Sequence, residues 1–155
     1  MDERGAVSPL MALMMLVLAS ILFVMVLGLG QLRLLRMEVS RAADLAVLAG
    51  LQELDFAALI QGDLVLDKAA AEAAVRSVLE ENLEPLAARL SASPAEIAEG
   101  AEVVTLNVDD LRPYSEEPAT SPEVWVEVEA PVKWLGEGIG PSTVRVVSRA
   151  VVSAP

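Results

Sequence analysis

An uncharged run near the start of the chain is the feature that most limits how it can fold. From Ala6 to Leu32, 27 consecutive residues carry no ionisable side chain. Fourteen of them are Leu, Ile, Val or Phe, and four more are Met. A helix of that length extends roughly 40 Å, whereas the hydrocarbon core of a bilayer is about 30 Å thick. We therefore predict a transmembrane helix over residues 6–32, in contact with membrane lipid. The run is too long for a secretory signal peptide and ends without a clear cleavage site.

The net charge of the chain lies beyond this run. Residues 1–49 hold four basic and four acidic side chains, so the formal charge of −12 belongs to residues 50–155. The seven basic residues in that part are scattered, whereas binding to nucleic acid requires clustered Lys and Arg. We predict no nucleic-acid partner.

Residue types that carry catalysis are scarce. The chain has no Cys and no His, so the thiolate nucleophile and the most common general base and metal ligand are missing. Its paired acids are sequence neighbours, not two carboxylates held apart in unlike environments. Asp109 and Asp110 lack the spacing of a calcium-binding loop. We predict no enzyme, no catalytic residue, no metal site and no cofactor.

Apolar residues at helical spacing continue past the membrane run without a turn signal before Gly62, which predicts one helix from about residue 6 to about residue 60. Residues 33–61 would then form a helical stem. Asp67 is placed to cap a second helix, which Pro85 should kink or split. The segment "SPAEIAEG", residues 93–100, has the pattern of a capping box followed by a short helix.

After Gly100 the apolar residues alternate with a period of two, which predicts strands near residues 104–108, 124–130 and 143–152. Arg145 and Arg149 would lie on the polar face of the last strand, within reach of Glu127 or Glu129. The predicted fold is α+β: a long N-terminal transmembrane helix that continues into a stem, a second helix, and a small three-stranded antiparallel sheet. Residues 62–155 would form the helix-plus-sheet head.

Two surfaces are candidates for contact with partners. Small residues recur every three or four positions along the stem helix, so another helix could approach it closely. We expect Ala46→Leu or Gly50→Leu to impair assembly without unfolding the head. Trp125 and Trp134 form a second candidate contact patch, although packing under the loop at residues 110–122 explains them equally well. The helix-packing residues are Ala42, Ala43, Asp44, Ala46, Ala49 and Gly50.

The single acid in this stripe, Asp44, would be costly against lipid. We therefore place the segment outside the bilayer. The carboxylate would pair with Arg41, with Arg36 or with a neighbouring subunit. An ordinary pair within one helix in water explains it as well as an assembly contact does.

Two segments together resemble the Tad (tight adherence, or Flp) pilus assembly proteins of the TadE/TadG-like group. "ERGAVSPLMALMML", residues 3–16, is similar to the start of that family, and "VSRAADLAVLAG", residues 39–50, is similar to its Ala-rich block after the membrane. The closing "STVRVVSRAVV", residues 142–152, is loosely similar to its last strands. Arg41 stands where the family usually has Asn, and Leu10 stands where its cleaved pilins carry a glutamate.

The resemblance implies a single-pass protein of the bacterial cytoplasmic membrane, with residues 1–5 in the cytoplasm and the head outside. A surface filament is the second location that it allows. It also marks Gly5 and Ala6 as a processing site, but the absence of an acid at Leu10 favours a chain that keeps residues 1–5. Our hypothesis is a non-enzymatic minor pilin or assembly protein of a pilus or secretion system. It would form an oligomeric assembly with pilin-like or pilus assembly subunits through its N-terminal helix. The alternative is a membrane-anchored module that binds an extracellular ligand.

Overall fold

The structure is a computed structural model that describes residues 4–113, 115, 117–133 and 142–152. Its contacts divide the chain into two compact units, Met1–Leu35 and Arg36–Pro155. We call the second the C-terminal unit. The described elements, in chain order, are α1 (Arg4–Gly50), α2 (Phe56–Gln61), α3 (Lys68–Leu83), a 3-10 helix (Glu84–Arg89), α4 (Pro94–Gly100), β1 (Glu102–Leu106), β2 (Glu123–Val132) and β3 (Ser142–Val151).

The first unit consists of the apolar part of α1. The stretch Pro9–Gly50 is long and apolar enough to cross a membrane, and its most apolar window has a mean hydropathy of 3.0. No residue of that window is buried in protein. An apolar helix with no protein around it is compatible with a membrane anchor, because lipid can replace the missing protein contacts.

α1 ends at Gly50, so the prediction of one helix to about residue 60 is wrong. The chain turns over residues 51–53, where the amides of Gln52 and Glu53 donate to the carbonyls of Ala49 and Gly50 at 3.0 and 3.2 Å. A second helix, α2, then begins after Asp55, whose carboxylate accepts from the amides of Ala57 and Ala58. Apolar spacing alone did not separate the two helices, because the turn "LQELD" contains neither Gly nor Pro.

The predicted helix signals after residue 60 are confirmed. The carboxylate of Asp67 caps α3 by accepting from the amides of Ala69 and Ala70. Pro85 lies at the start of a 3-10 helix that follows α3, as expected where the ring removes a helical hydrogen bond. Ser93 and Glu96 form a reciprocal capping box at the start of α4.

The described strands form a three-stranded antiparallel sheet in the order β1-β2-β3. This confirms the predicted α+β fold. The alternation of β2 places Val124, Val126, Val128 and Ala130 on a fully buried face. β1 ends at Leu106, so Val108, predicted to continue that strand, lies beyond it with half of its surface exposed.

Helices and sheet share one core in the C-terminal unit. α3 contributes one buried residue per turn, at Ala71, Val75, Leu79 and Leu83. Leu90, just after the 3-10 helix, forms an isolated bridge with Val132 of β2. The buried face of α3 and the buried face of β2 both have the periodicity that the sequence predicted.

Candidate assembly surfaces

The small-residue stripe of α1 lies in the core of the C-terminal unit. Ala42, Ala43, Ala46 and Gly50 are buried there, and Ala49 is half-buried. The segment is also joined to the 3-10 helix by a 2.6 Å ion pair between Glu38 and Arg89. The stripe therefore packs within its own chain, and whether it also contacts another subunit remains a prediction.

Gly50 shows how close this packing is. A Cβ atom at that position would lie 2.7 Å from Cγ2 of Val75 and 3.3 Å from Cγ1 of Val124. Glycine is needed here for the close approach of α3 and β2, not for an unusual backbone conformation. We therefore expect Gly50→Leu to destabilise the C-terminal unit strongly. This differs from the sequence-based expectation that the head would stay folded.

Asp44 is linked to the sheet. Its Oδ1 accepts a hydrogen bond from the hydroxyl of Ser148 in β3 at 2.5 Å. Among the ion pairs of the described residues, none joins Asp44 to Arg36 or Arg41, the two partners that the sequence suggested. A signal for this partner was absent from the sequence, because residues 44 and 148 are brought together only by the fold.

The opposite face of the same helical segment is exposed and partly apolar. Met37, Leu45 and Leu48 each keep half or more of their surface accessible. Arg36 and Arg41 are exposed nearby. In the C-terminal unit, α1 thus has a buried face of small residues and an exposed face of large apolar ones.

Trp125 is held in a charged cluster on the outer face of the sheet. Glu123 is fully buried. Its Oε1 accepts from Nε and Nη2 of Arg112 at 3.0 and 2.7 Å, and its Oε2 accepts from the indole N–H of Trp125 at 3.0 Å. Arg149 forms an ion pair with the same carboxylate at 2.9 Å, and its guanidinium lies 4.8 Å from the centre of the Trp125 ring. Trp134, the other member of the predicted patch, is outside the described residues.

This cluster fixes the loop that connects β1 to β2. Arg112 belongs to that loop, and Ala119 within it is buried. The sequence predicted that Arg145 and Arg149 would both pair with Glu127 or Glu129. Arg145 does pair with both glutamates, whereas Arg149 pairs with Glu123. The burial and pairing of Glu123 could not be predicted from the sequence, because a single acid at the start of a strand has the pattern of a solvated residue.

Burial raises the pKa of Glu123, but the hydrogen bonds from Arg112 and Trp125 and the charge of Arg149 outweigh it, so the pKa lies below its usual range. The hydrogen bond to Glu123 in turn raises the pKa of Arg112. Both shifts favour the ionised forms. The cluster is therefore a paired structural centre, not an acid and a base with unlike roles.

We expect the stability of the C-terminal unit to fall in acid partly through Glu123. A carboxyl with a lowered folded pKa stabilises the fold above its unfolded pKa of about 4.3, and this contribution is lost as pH falls through the folded pKa. Denaturant unfolding of the chain in detergent should therefore show the free energy of unfolding steady near pH 6 and falling below about pH 4.3. The Glu123→Gln variant should show a shallower fall, and parallel curves for the two proteins would contradict this assignment.

The remaining predicted sites have simpler outcomes. Gly5 and Ala6 lie in the first turns of α1, and processing there remains a prediction. Asp110 accepts from Nζ of Lys68 at 2.8 Å and from the amide of Asn107 at 2.7 Å. Among the residues that the structure describes, no group of three or more acids could hold a metal ion.

The chain thus combines an apolar N-terminal helix with an α+β unit in which one face of the last part of that helix is buried. The family described as "Putative Flp pilus-assembly TadE/G-like" matches residues 5–53. The resemblance that the sequence indicated is thereby confirmed over the first third of the chain, and it supports a role related to pilus assembly. Neither the curated proteins nor the solved structures contain a match to the chain.

Proposed function

We propose that this chain is a non-enzymatic minor pilin or assembly protein of a Tad-type pilus or secretion system, and that it assembles through its N-terminal helix. The observation that carries the proposal is the position of the family match. Residues 5–53 cover α1 and the turn that follows it, and leave most of the C-terminal unit outside the match.

The exposure of α1 supports assembly through this helix. From Pro9 to Leu27 every residue is exposed, and large apolar side chains cover all sides of the helix. Such a surface suits either lipid or the apolar helices of other subunits, and in lipid helices associate by close packing. Within the C-terminal unit, α1 has a separate exposed apolar surface formed by Met37, Leu45 and Leu48.

The location that follows from the proposal is the bacterial cytoplasmic membrane, crossed once, with the C-terminal unit outside. Arg33, Arg36 and Arg41 follow the apolar run, whereas Arg4 precedes it, so the local charge does not favour this orientation by the positive-inside rule. The orientation rests on the family resemblance.

The alternative, a ligand-binding module on a tether, has less support. Its predicted patch includes Trp125, whose indole N–H is engaged by Glu123 and whose ring is covered by Arg149. A ligand that stacked on the same face of this ring would have to displace the guanidinium.

An exchange of the N-terminal helix distinguishes the proposed assembly function from the ligand-binding alternative. In the native bacterium, the gene is deleted and replaced either by the natural chain or by a variant in which residues 9–32 are exchanged for an unrelated apolar helix of equal length. Residues 33–155 stay unchanged, so the C-terminal unit is a constant in both strains. We expect both proteins in the membrane fraction, and surface filaments only with the natural helix.

Two results would count against the proposal. Normal filament numbers in the deletion strain would exclude a role in pilus assembly. Full restoration of filaments by the exchanged helix would make the helix a simple tether and would assign the assembly role to residues 33–155 instead.

A further inference from the structure

The loop between α1 and α3 provides a second exposed surface, in addition to the N-terminal helix. Residues 53–67 leave the end of α1, form α2 and return to α3. The two arms of this loop pair: the amide of Asp55 donates to the carbonyl of Val65, and the amide of Asp67 donates to that of Glu53, both at 2.9 Å. We call residues 53–67 the α2 loop.

The base of the α2 loop is anchored to the sheet. Leu66 is buried. Its amide donates to Oδ1 of Asn107 at 2.8 Å, and its carbonyl accepts from Nδ2 of the same side chain at 3.3 Å. Asn107 directly follows β1, so the loop is held at a defined place on the C-terminal unit.

The tip of the loop is the short helix α2, which contains no fully buried residue. Asp55 caps the start of α2, and Gly62, with φ of 91°, ends it in the left-handed conformation. Yet none of the six residues of α2 is buried. Phe56 is 77% exposed and Ile60 is 87% exposed, and their spacing of four places them on one side of the helix. Short helices owe most of their stability to packing of an apolar face, and this face is not packed within the described part of the chain.

The residues that directly follow α2 line a groove. Leu64 and Val108 are exposed, and both line a groove of about 440 Å³ that also contains Asp63 and Pro122. The walls of the groove are mainly apolar, with Thr120, Ser121 and one carboxylate as its polar residues. Such a groove fits the side chain of Lys or Arg, whose stem is apolar and whose end is charged.

The charges of the α2 loop select among the partners that could cover this surface. Its ionisable side chains are Glu53, Asp55, Asp63 and Asp67, and all four are acidic. A second copy docking through the same loop would bring like charges together, and an anionic lipid surface would be repelled. A protein with an apolar centre and a basic rim would be complementary.

We propose that the α2 loop is a docking site for a different protein, which covers Phe56 and Ile60 with an apolar pocket and presents Lys or Arg to Asp63. This inference goes beyond the proposed function, because it concerns a contact of the C-terminal unit and holds whether or not the N-terminal helix enters a filament. Large apolar anchors surrounded by charged residues are the usual arrangement of a protein interface.

The test uses the full chain in native membranes. A photo-reactive benzoylphenylalanine replaces Ile60, and in a control strain it replaces Val147, an exposed residue of β3. We expect an adduct at position 60 with a single protein other than this chain, and an attachment segment that is apolar with Lys or Arg nearby. In the same background Phe56→Gln should lower the yield at least tenfold and Asp63→Asn at least threefold, whereas Val147→Gln should leave it unchanged.

Because Phe56 and Asp63 are exposed, their replacement should not unfold the unit, and circular dichroism of the purified variants checks this. Adducts mainly with a second copy of this chain or with lipid would overturn the proposal. So would the absence of a protein adduct at position 60, a loss of yield below tenfold in Phe56→Gln, or a loss below threefold in Asp63→Asn.

Discussion

Replacement of Gly50 by Leu is expected to destabilise the C-terminal unit by roughly 3 kcal/mol, the upper end of the usual cost of overpacking a core. The first added carbon alone would lie 2.7 Å from Val75 and 3.3 Å from the backbone carbonyl of Ala71. Cγ1 of Val124 in the sheet would lie 3.3 Å from the same carbon. Relief would require α1, α3 or β2 to move, because the Cβ atom alone would already be closer to Val75 than Cβ atoms normally approach another atom.

The measurement is denaturant unfolding of the full chain in detergent, followed by circular dichroism. Gly100→Ala is the matched control, since an added Cβ there meets nothing within 4 Å. We expect it to change the free energy of unfolding by less than about 1 kcal/mol, in the stabilising direction, because Ala favours a helix more than Gly does. Equal stabilities for Gly50→Leu and the natural chain would show that α1 does not pack against α3 and β2 in this way.

Replacement of Glu123 by Ala is the second large effect, and we expect a loss of roughly 3 to 5 kcal/mol, the usual cost of breaking a buried ion pair by removing one partner. The substitution removes the acceptor of two Arg112 hydrogen bonds and of the Trp125 indole, and leaves Arg149 without its buried counter-charge. It also releases the loop between β1 and β2 from the sheet.

Glu129→Ala is the control for the second prediction. It lies on the same strand and the same face, but it is exposed and 3.8 Å from Arg145. An exposed pair of this kind contributes at most about 1 kcal/mol. If the two alanine variants unfold at the same denaturant concentration, the Glu123 cluster is not what holds the loop and the sheet together.

Local signals in the sequence predicted much of the fold. Asp67, Pro85 and the Ser93–Glu96 box act through atoms a few residues away, so their effects can be derived from spacing alone. The same holds for the alternation of Val124, Val126 and Val128 in β2. Each of these predictions depends on backbone geometry that is common to all helices and strands.

Features that depend on tertiary packing could not be derived in this way. The close packing of Gly50 against Val75 and Val124 joins residues that are distant in sequence. The partners of Asp44 and Glu123 are likewise set by the fold, and a short helix with an exposed apolar face, such as α2, has the same spacing as the end of a longer helix. Asp55 was the available signal, because an acid before an apolar stretch is a typical helix cap.

The position of the small-residue stripe changes which surfaces are available for assembly. Ala42, Ala43, Ala46 and Gly50 are buried in the C-terminal unit. A variant such as Ala46→Leu would therefore disturb the folding of this unit, and a loss of assembly in that variant would not demonstrate a contact with another subunit. Among the described residues, accessible apolar surfaces include the helix from Pro9 to Leu27, the exposed Met37, Leu45 and Leu48, and the α2 loop.

The central claim is that this chain contacts other pilus subunits through its N-terminal helix. The most direct test is photo-crosslinking in native membranes from Leu18, in the middle of the exposed apolar helix, with Glu80, exposed on α3, as the control position. We predict that a probe at Leu18 yields an adduct with another pilin-like or pilus assembly subunit, joined through that subunit's own apolar helix, and that a probe at Glu80 does not. Adducts at Leu18 with lipid alone, in cells that assemble filaments, would contradict the account.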